Sequence, residues 1–141
     1  MAFKQGVAIA PDQPPVVLLW ANYLKQQGKI EDAEAAYQRL AKLAPGFGTA
    51  AALGGFYAGI EDKSRDADAE AAYRSGLAQA KPEEMVFATQ VLANFLASRS
   101  RAPEAEQVLK DAITHTPDST DLIYALAAFY GSPEGRSITK K

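Results

Sequence analysis

Residues 37–47 read YQRLAKLAPGF, a large aromatic anchor followed by an apolar run that Pro45 closes, and the same plan recurs along the chain. FKQGVAIAPDQ at 3–13, YRSGLAQAKPEE at 73–84 (one residue longer) and LKDAITHTPDS at 109–119 align with it. Their prolines, at 11, 45, 82 and 117, are 34, 37 and 35 residues apart. Ala33, Ala69 and Ala105 stand four residues ahead of Tyr37, Tyr73 and Leu109, in steps of 36. A large-small-x-x-large pattern completes each unit: Trp20-Ala21-x-x-Leu24, Leu53-Gly54-x-x-Tyr57, Leu92-Ala93-x-x-Leu96 and Leu126-Ala127-x-x-Tyr130. Three kinds of anchor held in one register define a repeat, and its period suits stacked helical hairpins.

Helical arithmetic explains the spacing. In the first helix of a unit, the two large residues and the small one beside the first form a single stripe, and the small residue lets a partner helix come close. In the second helix, Ile30, Ala33, Tyr37, Leu40 and Ala41 share one face, while Glu31, Asp32, Glu34, Gln38 and Lys42 are expected to point outward. Acidic residues open that helix and Arg39 and Lys42 close it, as the helix dipole favours. Pro45 stops it. Gln26-Gln27-Gly28-Lys29 is a tight turn in which glycine accepts positive φ. The second unit stretches the equivalent turn to residues 59–66, and the third replaces its glycine with Ser98-Arg99-Ser100-Arg101. Abundant alanine and scarce β-branched runs favour helix throughout.

On these anchors the chain resembles the tetratricopeptide family, whose pattern runs W-x2-L-G-x2-Y, then A-x3-F, then P. The resemblance implies an all-α right-handed superhelical solenoid of antiparallel helix pairs. Residues 3–13 would be the end of a preceding second helix, 14–46, 47–82 and 83–117 three repeats, and 118–141 the first helix of a further one. Ser132 to Arg136 is read as the turn towards a partner helix that is cut off at Lys141. Leu122, Ile123, Leu126, Phe129 and Tyr130 make it too apolar for a capping repeat, so the expectation is a piece of a longer array whose terminal helices can self-associate.

Composition narrows the functions. The 141 residues carry 15 Lys and Arg against 17 Asp and Glu, a net charge of -2, without the basic footprint that neutralises nucleic-acid phosphates. Nucleic acid is therefore not an expected partner. The chain has no cysteine, which removes thiolate nucleophiles, disulfides and Cys-ligated zinc. The apolar run at 16–21 is far shorter than the roughly 20 residues that span a bilayer, so no direct membrane insertion is expected. A soluble chain of cytoplasm or periplasm fits, with the compartment left open.

Catalytic chemistry has little material. His115, the only histidine, falls at the end of a second helix, where a cation suits the dipole. Glu61-Asp62, Asp66-Asp68 and Glu83-Glu84 fall in turns or helix starts, where carboxylates are usual. Gly54, Gly55 and Gly59 lack the strand and Lys-Ser/Thr of a phosphate loop and are read as sites of close helix packing. The reading is a non-enzyme with no cofactor and no metal.

Binding is the better expectation. In the family that the chain resembles, first helices line a concave groove, and its ligand-facing positions transfer to Leu18, Asn22 and Lys25; Ala51, Gly55 and Ala58; Phe87, Gln90 and Asn94; Asp121, Tyr124 and Ala128. Small residues between aromatic edges suit a helix or an extended peptide of a protein partner, with asparagines to bond its backbone. Gly48, Ala52, Phe87 and Val91 stand where a carboxylate clamp would need charged or amide groups, so recognition of a chaperone tail is not expected. Two rival readings are a structural spacer or self-assembling segment, and an accessory subunit of a bacterial envelope or secretion assembly.

Overall fold

A computed structural model describes residues 13–139; the segment at 3–12 that aligns with 37–46 lies outside the described residues, as do 140 and 141. Among the described residues the protein is all-helical. The eight α-helices are α1 (Pro14–Gln26), α2 (Ile30–Leu43), α3 (Phe47–Ala58), α4 (Asp66–Gln79), α5 (Met85–Ser98), α6 (Ala102–His115), α7 (Thr120–Gly131) and α8 (Pro133–Thr139). A 3-10 turn at Pro82–Glu84 leads into α5. None is long and apolar enough to cross a membrane. The chain divides into two compact units, one ending at Gln79 and one beginning at Ala80.

In the first unit α1 packs on α2, α2 on α3 and α3 on α4. The buried stripe of α1 is Val17, Ala21 and Leu24, and α2 answers with Ala33, Tyr37 and Leu40. Ala36 is buried too, which widens that face beyond the expected set. The small residue of the motif acts where it stands: a Cβ on Gly54 would lie 2.8 Å from Cε1 of Tyr73 on α4. Gly76 on α4 is less tightly constrained, with Ala50 Cβ at 3.2 Å. Gly55 and Gly59 are not such contacts, since both are exposed and Gly59 would meet only the carbonyls of its own helix.

In the second unit α5 packs on α6, α6 on α7, and α5 and α7 meet directly. Leu92 and Leu96 of α5, Leu109 of α6 and Leu122 of α7 form its centre. Residues 133–136, read from the sequence as a turn, are instead the start of α8, with Pro133 in its first turn, where a missing N–H costs nothing. Gly135 permits this: a Cβ there would lie 1.9 Å from the Phe129 carbonyl oxygen, so only glycine lets α8 fold back so sharply. Ala127, by the motif a packing position, is exposed.

Candidate functional site

α5 and α7 lie side by side in the second unit, and between them is a cavity of about 270 Å³. Ala93 and Ala97 from α5 and Ala125 and Ala128 from α7 give it small apolar walls, with Leu109 and Phe129 adding bulk. Gln90, Asn94, Ser98, Ser132 and Glu134 supply its polar groups. Two of these are already engaged: Ser98 Oγ donates to the Phe95 carbonyl at 2.7 Å, and Ser132 Oγ donates to that of Phe129 while accepting from Gly135 N. The carboxamides of Gln90 and Asn94 have no hydrogen-bond partner among the described residues.

Gln90, Asn94 and Ala128 are thus brought together at one cavity. Phe87, Asp121 and Tyr124 are exposed one turn or more towards the N-termini of the same helices, Phe87 by 61% and Tyr124 by 72%. In the first unit Leu18 and Lys25 are exposed on α1. Asn22 is less available than the sequence suggests, because the buried Tyr37 donates its hydroxyl to Asn22 Oδ1. Burial pushes the Tyr37 phenol above its ordinary value, so the hydroxyl remains a donor.

A polar cluster gathers round Glu34 and Gln38, two residues that the sequence suggests point outward. Glu34 on α2 accepts from Arg65 Nη1 at 3.0 Å through Oε1, and from Arg65 Nη2 through Oε2. The Tyr57 hydroxyl donates to the same Oε2 at 2.7 Å, and Gln38 Nε2 donates to the Tyr57 oxygen at 3.0 Å. The guanidinium lies 4.6 Å from the Tyr57 ring centroid, and its Nε reaches Asp68 Oδ2 at 2.6 Å. Arg65 foremost, then Tyr57, holds the Glu34 carboxyl below its ordinary value, while burial and the Glu34 contact push Tyr57 up. A signal for this node exists in the sequence: DAEAAY occurs identically at 32–37 and 68–73, and glutamate recurs at 34, 70 and 106.

His115 ends α6, its Nδ1 2.8 Å from the Asp111 carbonyl oxygen. Among the described residues no group of three or more His, Asp or Glu is placed to hold a metal ion. No protein-family model matches the sequence, and no curated protein matches it.

Proposed function

We propose that the protein is a non-catalytic scaffold of tetratricopeptide-like helix pairs that binds an extended segment of a protein partner along α5 and α7. The observation that carries this reading is the pair of unpartnered carboxamides, Gln90 and Asn94, on the wall of a cavity with mixed polar and apolar lining. An extended peptide presents N–H and C=O groups at regular intervals, and a carboxamide can satisfy one of each. The cavity size supports a side chain rather than a whole ligand: about 270 Å³ falls just under the roughly 300–1,000 Å³ of small-molecule sites. Phe87 and Tyr124 offer aromatic surface next to it, the residue types that most often carry binding energy in an interface.

The test is affinity capture from the native host with the intact chain, compared with Asn94→Ala, Phe87→Ala and Tyr124→Ala. Loss of the same partner from all three supports groove binding. Retention of every partner by all three would remove this reading and favour the spacer.

A further inference from the structure

We propose that Glu106 and Tyr130 form a receptor for an arginine side chain supplied by a protein partner. The protein carries its own template for such a site. In the first unit, Glu34 follows the fully buried Ala33 and accepts a hydrogen bond from Tyr57, whose ring lies 5.4 Å from that of Phe56 at a 52° tilt. In the second, Glu106 follows the fully buried Ala105 and accepts a hydrogen bond from Tyr130, whose ring lies 5.9 Å from that of Phe129 at a 51° tilt. The two carboxylate–phenol pairs are the same device built twice.

The first pair holds a guanidinium and shows how. Arg65 is gripped through both oxygens of Glu34 and stacked on Tyr57, which combines a fork-on-fork ion pair with a cation–π contact. The loop at 59–65 delivers that arginine. The second pair has no such loop, because Ser132 alone separates α7 from α8. Glu106 Oε2 accepts a hydrogen bond from the Tyr130 hydroxyl and forms an ion pair with Lys110 Nζ at 3.6 Å. Oε1 has no donor among the described residues.

Two cations of the chain stand near enough in sequence to compete. Lys110 occupies the place of Gln38 in the first unit and weakens the site by partly matching its charge. Arg136 on α8 is exposed and makes no ion pair with Glu106. Lysine cannot reproduce the planar fork, so the site should prefer arginine over lysine. None of Glu106, Lys110 and Tyr130 lines the α5–α7 cavity, and the inference does not depend on peptide binding there.

The experiment is an NMR titration of the intact protein with acetyl-Gly-Arg-Gly-amide, using lysine and citrulline counterparts as controls. The arginine probe should move the Tyr130 ring resonances in the wild type. Lys110→Gln should tighten that response about two- to fivefold, and Glu106→Gln should abolish it while leaving the circular dichroism unchanged. Arg65→Ala should add a second response at Tyr57. Phe87→Ala and Tyr124→Ala should change nothing, which separates this site from the groove. Equal responses to arginine and lysine probes would overturn the proposal, as would a Tyr57 response in Arg65→Ala with none at Tyr130 in Lys110→Gln. A Tyr130 response that required Arg136→Ala would overturn it as well, by showing that the chain fills the site itself.

Discussion

Arg65 reaches back 31 positions to fork onto both carboxylate oxygens of Glu34, tying the loop after α3 to the preceding α2. Because this contact holds the folded Glu34 carboxyl below 4.5, its contribution to stability is complete above that value. It is lost as pH falls through the folded value, where the unfolded chain is already protonated. Thermal melts between about pH 6 and pH 3 should therefore show a steeper acid limb for the wild type than for Glu34→Gln. The effect will be modest and weaker in high salt, since both side chains remain partly exposed to solvent. Superimposable acid limbs would show that the pair contributes nothing.

Gly54 and Gly48 lie on the same helix and should respond to alanine with opposite signs. A methyl at Gly54 would sit 2.8 and 2.9 Å from Tyr73 ring carbons in the α3–α4 interface, an overpacking that costs about 1–3 kcal/mol. A methyl at Gly48 meets nothing within 4 Å, so Gly48→Ala should gain a few tenths to about 1 kcal/mol from helix propensity. Urea unfolding of the two variants measures both. A harmless Gly54→Ala would mean that α3 and α4 can part without cost.

In the second unit the contrast is between Leu92 and Ile123. Leu92 is fully buried at the centre of α5, and Leu92→Ala should cost about 2–5 kcal/mol through lost burial and the cavity left behind. Ile123 is 49% exposed on α7, so Ile123→Ala should change stability by less than about 1 kcal/mol. Equal losses in chemical denaturation would mean that Ile123 is covered in solution.

The helix order was legible because its determinants are local. The motif pattern places Ala21, Gly54 and Ala93 in tight packing positions, and Pro45 and Gly28 mark ends that side chains alone enforce. Glu34 shows the opposite case: on a helical wheel it belongs to the polar face, and only a loop donor 31 residues later makes it the half-buried partner of Arg65. The start of α8 lies earlier than the sequence suggests because Pro133-Glu134-Gly135 carries turn chemistry. Its helical state depends on a non-local fit, the Gly135 backbone lying against Phe129. Of the groove positions proposed from the register, Gln90, Asn94 and Ala128 line one cavity. The register could not show that Tyr37 occupies Asn22, since that bond joins two different helices.

The turns after α1 and α5 are one motif with different residues at the critical position. Gly28 N donates to the Lys25 carbonyl and Lys29 N to that of Leu24; Ser100 N donates to the Ala97 carbonyl and Arg101 N to that of Leu96. Both are Schellman caps, which need a left-handed residue to aim these donors at the last carbonyls of the helix. Gly28 adopts φ 75 freely, whereas Ser100 adopts φ 62 against its own Cβ. Ser100→Gly should therefore stabilise the protein by about 0.5–1 kcal/mol, the relief of strain exceeding the entropy of the more flexible unfolded chain. Gly28→Ser should destabilise it by about 1 kcal/mol, because nothing crowds that side chain and only the backbone pays. Paired thermal melts decide the matter: a Ser100→Gly variant that unfolds earlier than the wild type would mean that the Ser100 side chain contributes more than its strain costs.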